Sequence, residues 1–93
     1  MKYFILTYLL THDYMERRGD YRKEHLALAD KYHKKGSLVM GGALSRPADK
    51  AVLIFRSEKV ELVQGFVEQD PYVKNCLVED WDIREWTVVV GLL

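Results

Sequence analysis

Residues 21–33 read YRKEHLALADKYH, and the rest of the chain is arranged around the helix that this spacing predicts. At about 100° per residue, Tyr21, Arg22, His25, Leu26, Leu28, Ala29 and Tyr32 project into one arc. Lys23, Glu24, Asp30, Lys31, Lys34 and Lys35 fall outside it. A helix patterned in this way lays its apolar arc on a core. His25 stands inside that arc, with Arg22 one turn before it. The sequence therefore aims an imidazole and a neighbouring guanidinium toward the interior, or a pocket, of a small domain.

On the N-terminal side, Gly19 breaks the preceding segment and Asp20 is the expected N-cap. Residues 10–19, LTHDYMERRG, form a polar connection, and residues 2–9 have strand composition, apolar on both faces, as in a central strand. On the C-terminal side, Lys34 and Lys35 suit the negative end of the helix, and Gly36 suits its C′ position. Residues 37–45, SLVMGGALS, read as a strand whose Gly41-Gly42 pair marks a bulge or a close approach of backbone or ligand. A turn at 46–49 leads into a strand over 51–56. Ser57 is the expected cap of a second helix running to about Gln69. Asp70 followed by Pro71 is a helix start in its own right and predicts a short helix over 71–76.

The last strand is expected over 80–90. Trp81 and Ile83 share one face there, while Trp86, Val88 and Val90 share the other. Either a β-bulge near Arg84-Glu85 unites the two sets, or both faces of the sheet are covered. The resulting order, β-α-β-β-α-β, is the ferredoxin-like split arrangement: an α+β fold with an antiparallel sheet and helices on one face. Its other face would carry large apolar side chains, which a homodimer packed sheet to sheet would cover.

Bulk composition narrows the function. Ninety-three residues, 48% hydrophobic and 30% charged, are expected to form a single domain spanning 1–93. Fourteen basic and fourteen acidic residues balance, which argues against a nucleic-acid partner. The apolar N-terminal run is too short for a membrane span and lacks a cleavage site, so a cytoplasmic protein is expected. The one cysteine, Cys76, fits a reducing compartment and reads as a small half-buried hydrophobe. His12, His33 and Cys76 have no metal-ligand spacing, and dinucleotide and P-loop motifs are missing from the sequence, so no metal and no cofactor are expected.

Among candidate site residues, His25 is either a general acid/base or a core histidine satisfied by its neighbours. Arg22 beside it would need an anion, structural or substrate, to repay burial. Asp70 caps the Pro71 helix, and its second oxygen could also hold His25 and orient its ring. Gly41 and Gly42 could let a ligand approach the backbone.

The combination Arg22-x-x-His25-Leu26, the run LVMGGAL at 38–44, Asp70-Pro71-Tyr72 and IREW at 83–86 resembles the YciI-like (YCII-related) family over almost the whole chain. That resemblance implies the dimeric α/β-barrel version of the ferredoxin-like fold. It also implies a cleft whose active-site pair is His25 and Asp70, with Arg22 nearby; Gly41, Gly42 and Tyr72 are the further candidates for substrate contact. The implied chemistry is acid/base catalysis without a cofactor (elimination, isomerisation or hydrolysis) on a small anionic or aromatic metabolite. The competing expectation is a non-catalytic dimeric module that binds a small ligand or serves in interaction.

Overall fold

A computed structural model of the protein describes residues 1–91. Four strands form one antiparallel sheet: β1 (Lys2–Leu10), β2 (Leu38–Ala43), β3 (Lys50–Ser57) and β4 (Val78–Trp86). Their order across the sheet is β2-β3-β1-β4, with β1 central as its composition requires. Helices α1 (Tyr14–Arg17), α2 (Arg22–Lys34), α3 (Val60–Gln69) and α4 (Pro71–Lys74) complete the chain. This is the ferredoxin-like α+β fold.

Alternation along β1 decides which face is the core. Phe4, Leu6, Tyr8 and Leu10 are buried, and their neighbours on β3 and β2, Leu53, Phe55, Ala51 and Leu38, are buried with them. Val63, Phe66 and Val67 of α3 close over these strands. Tyr32 of α2 meets Phe66 edge to face at 5.2 Å, and Phe55 meets Phe66 at the same distance. The opposite sheet face presents Ile5 paired with Ile54, and Thr7 with Val52, with the exposed Met40 and Trp86 beside them.

Several local expectations are corrected. The connection 10–19 is not irregular: it contains α1, and a 3₁₀ turn over Arg18–Asp20 follows. That turn absorbs Asp20, so Tyr21 rather than Asp20 takes the N-cap position of α2, without a side-chain cap. Ser57 does not cap α3. It still pairs with Lys2 in the β ladder, and its Oγ accepts from the Lys59 N–H at 3.1 Å, so the helix starts at Val60. The short helix stops at Lys74, before Cys76, whose φ of 61° is incompatible with a helix. Cys76 is exposed, not half-buried.

The last strand runs from Val78 to Trp86 rather than over 80–90. Trp86 pairs with Tyr3 at the start of β1, and the central strand offers almost no partner beyond that point. The bulge lies not at Arg84-Glu85 but at Glu79, where Leu9 pairs with Asp80 and Leu10 with Val78. Register is regular from Asp80 to Trp86, so Trp81 and Ile83 face the helices and Trp86 faces away. No helix among the described residues is long and apolar enough to cross a membrane.

Candidate functional site

Helix α2 lies over β2, where the strand residues are Gly41, Gly42 and Ala43. Ala51 on β3 and Ala29 on α2 add two more small side chains. With little to fill the space between helix and sheet, a cavity of about 320 Å³ remains. That lies near the lower end of the roughly 300–1,000 Å³ typical of small-molecule sites. Tyr8, Tyr14, Tyr72, Leu38 and Leu53 form much of its apolar wall, and Arg18, Arg22 and His25 supply its charged and titratable groups. A Cβ added to Gly41 would come within 3.1 Å of Leu53 Cγ, so the strand has no room there for a side chain without displacing the wall.

Asp70 anchors the site. It is the N-cap of α4, its Oδ1 accepts the Tyr72 N–H at 3.0 Å, and Pro71 follows at the first helical position. The same Oδ1 lies 2.7 Å from His25 Nδ1, and Oδ2 accepts the Tyr8 hydroxyl at 2.7 Å. Asp70 is wholly inaccessible to solvent, while the His25 side chain keeps 14% of its surface exposed. A buried carboxylate with three such partners is an acceptor, so His25 donates from Nδ1. Nε2 is then the ring nitrogen left for a ligand. The imidazole lies flat on the Tyr72 ring, with centroids 3.8 Å apart and planes at 7°. It is held by a bond at one edge and a stacked ring across its face.

The tyrosines are strongly shaped by this environment. Burial, and after it the Asp70 carboxylate, drives the Tyr8 pKa far above its ordinary value, so Tyr8 stays a hydrogen-bond donor. Burial also pushes Tyr72 up to about 12, with Tyr14 raising it further and Arg22 opposing. The Tyr72 hydroxyl is buried without a hydrogen-bond partner among the described residues. Arg18 sits 5.7 Å from the Tyr14 ring centroid, within cation–π reach.

Of the residues singled out in the sequence, His25, Arg22, Gly41, Gly42 and Tyr72 all line the cavity, and Asp70 lies beneath His25. Arg22 is exposed at the mouth rather than buried in the apolar arc, and it forms no ion pair among the described residues. No core-facing residue of α2 is fully buried: Arg22, His25, Leu26 and Ala29 border the cavity, while Leu28 and Tyr32 pack partly buried against the core. His33 serves the backbone instead, with Nδ1 2.7 Å from the Leu38 carbonyl oxygen, while His12 is exposed. Sequence reading missed Tyr8, Tyr14 and Arg18. A tyrosine in a central strand was a usable signal, since its buried hydroxyl needs a partner.

Comparison with known proteins agrees with this architecture. The dehydrochlorinase TftG of Burkholderia phenoliruptrix AC1100, which acts on 5-chloro-2-hydroxyhydroquinone and was solved with 2,5-dihydroxybenzoquinone, superposes with a TM-score of 0.77 at 22% identity. The match covers 91% of this chain and 93% of TftG. A protein of Agrobacterium tumefaciens matches with a TM-score of 0.61 at 16% identity, over 96% of this chain and 94% of its own. A NIPSNAP domain protein of Burkholderia xenovorans matches with a TM-score of 0.59 at 14% identity, over 100% and 99% of the two chains. At these identities the likeness is one of fold. No curated protein matches the sequence. The model of the YCII-related domain matches residues 1–87. The chain belongs to the YCII-related domain family.

Proposed function

We propose that this protein is a small acid/base enzyme in which His25 moves a proton and Asp70 orients and charge-stabilises it. The observation that carries this reading is the pinned imidazole: Nδ1 is held at 2.7 Å by a fully buried carboxylate, and the ring borders a cavity. A carboxylate behind an imidazole fixes its tautomer and stabilises the imidazolium that forms when Nε2 accepts a proton. Nε2 would take a proton from a substrate O–H or C–H. The electron pair left behind would then expel a leaving group, shift a double bond or stay as an enolate. The proton returns to the departing group, to a new carbon or to water. Elimination and isomerisation follow most directly, and hydrolysis is accessible if Nε2 activates water.

The substrate in this reading is a small metabolite, anionic or aromatic. Arg22 at the cavity mouth supports the first property, and the tyrosines and leucines in its wall support the second. The 2,5-dihydroxybenzoquinone with which TftG was solved is a planar ring bearing acidic hydroxyls, in keeping with a flat, ionisable substrate. The working form is proposed to be a homodimer joined through the apolar sheet face of Ile5, Val52 and Ile54. A cytoplasmic setting suits the exposed free thiol of Cys76.

The test is solvent exchange. The purified protein is incubated in D₂O with a panel of hydroquinones, chlorinated hydroquinones, cyclic enols and β-keto acids, and deuterium incorporation or dechlorination of the ring is followed by NMR. The expected result is exchange that the wild type catalyses and that falls by about a hundredfold or more in His25→Asn, whose amide can still donate to Asp70 and keep the protein folded. Exchange that persists at the wild-type rate in a folded His25→Asn protein would rule out the assignment.

A further inference from the structure

The cavity wall contains two guanidiniums, Arg18 and Arg22, and no carboxylate among the described residues. The carboxylate that serves the site, Asp70, is sealed below His25 with its three bonds already made. The nearby Asp13 is engaged with Arg17 at 3.7 Å, and neither residue lines the cavity. Neither Arg18 nor Arg22 forms an ion pair among the described residues. A concave, partly apolar wall with unneutralised positive charge concentrates anions and raises the energy of cations.

A second observation is independent of the charges. Tyr72 is 3% exposed, and its hydroxyl has no hydrogen-bond partner among the described residues. A buried hydroxyl left unmade is costly and calls for an explanation. Here the ring lines the cavity, with Tyr14 and Arg22 in the same wall. As a phenol that stays protonated at neutral pH, it can give a hydrogen bond to an oxyanion.

We infer that Tyr72, Arg22 and Arg18 form an oxyanion subsite, and that the ligand is a planar ring bearing an ionised oxygen group, a carboxylate or a phenolate-type oxygen. The inference rests on the cavity being the binding site of the proposed enzyme, and it adds the ligand's charge and the donor set that reads it. The ionised oxygens take the Tyr72 O–H and the guanidinium N–H groups. The ring lies against Leu38, Leu53 and the bare backbone at Gly41-Gly42. His25 Nε2 is left to face an atom of the ring rather than its anionic substituent, because the Tyr72 ring beneath the imidazole ties the two positions together.

The test compares benzoate with benzamide, two rings of the same outline that differ in charge. Binding to the full-length protein is read by NMR titration of backbone amides, in wild type, Tyr72→Phe, Arg22→Gln and Arg18→Gln. Tyr72→Phe keeps the ring stacked on His25 and removes only the hydroxyl. The expected result is benzoate binding that shifts the amides around residues 18–25 and 70–72 and exceeds benzamide binding. Each variant should weaken benzoate by about ten- to a hundredfold, the loss of one charge-assisted hydrogen bond, and leave benzamide within about twofold. Equal binding of the two probes, no binding of benzoate, or Tyr72→Phe binding benzoate as wild type does would overturn the subsite. His25→Asn separates the two readings, since it should abolish exchange in D₂O yet still bind benzoate. If benzoate behaves as expected while His25→Asn keeps exchange activity, the acid/base assignment falls and the subsite stands.

Discussion

His25 and Tyr8 share one carboxylate, His25 on Asp70 Oδ1 and Tyr8 on Oδ2, each at 2.7 Å. The two side chains come from α2 and β1 and meet through a group supplied by the start of α4. Neither oxygen of Asp70 can rotate away without leaving one of them unpaired.

Replacing Tyr8 with Phe keeps the core volume and leaves Oδ2 bare. The expected cost is about 1–3 kcal/mol of stability, the penalty for an unsatisfied buried acceptor. Urea denaturation should show a lower midpoint with an unchanged m-value. A midpoint equal to wild type would mean that the hydroxyl contributes nothing to holding Asp70.

Asp70→Asn keeps a competent cap for α4 but removes the charge that faces His25. The ¹⁵N chemical shifts of the His25 ring should report a protonated Nδ1 in wild type and a loss of that tautomer bias in the variant. Asp70→Ala removes the cap as well, and its stability should fall by about 3–5 kcal/mol, as for other broken buried pairs. An unchanged ring spectrum in Asp70→Asn would separate the tautomer from the carboxylate.

The tyrosines set an alkaline limit. Both Tyr8 and Tyr72 have folded-state pKa values raised above the ordinary 10.0, and Tyr72 reaches about 12. Well below pH 10 both are protonated in the folded and unfolded states, so they make no contribution to the pH dependence of stability there. Above it the unfolded chain releases protons that the folded protein holds, and stability falls as pH rises. Chemical denaturation from pH 8.5 to 12 should show this decline, and Tyr8→Phe should flatten it. A wild-type stability that rises across this window would contradict the raised values.

Gly41→Val puts a branched side chain where a Cβ already meets Leu53 at 3.1 Å. The wall has to yield, at about 1–3 kcal/mol, and the cavity loses volume. Calorimetric titration with benzoate should show weakened binding even though no polar group of the site has changed. Full affinity in this variant would place the ligand away from β2.

The proposed dimer depends on an apolar sheet face. Ile54 pairs with Ile5 on one side and Met40 on the other, near the middle of that face. Ile54→Glu would bury a charge there, so sedimentation should find a monomer where the wild type is a dimer, with the circular dichroism of the monomer close to native. A wild type that sediments as a monomer at tens of micromolar would remove the dimer from the reading.

Asp70 and His25 stood out in the chain because their signals are local: an Asp-Pro step starts a helix wherever it occurs, and helical period alone puts His25 among apolar residues. Tyr8 was hidden for the opposite reason. Residues 2–9 are apolar on both faces, so alternation could not tell Tyr3 from Tyr8. Only the strand order and the position of the helices put Tyr8 inside and Tyr3 on the open face. Arg18 lies in a turn with no period at all. The limits of the last strand were misjudged because they are set by where its partner β1 begins and by a bulge at Glu79, neither of which leaves a mark on residues 80–90 themselves.

The three groups that meet at Asp70 have consequences for assembly. Its bonds to Tyr8 and His25 close loops of 62 and 45 residues, so both need distant parts of the chain to be in place together. Closures of that span must meet their loop entropy before the contacts reward it, so they are expected to form after the local contacts. No peptide cut from this chain should carry the pinned imidazole, and no half-folded species should either. Refolding followed by the environment of the His25 ring should therefore lag behind refolding followed by helix content, so that the ring reports completion rather than collapse.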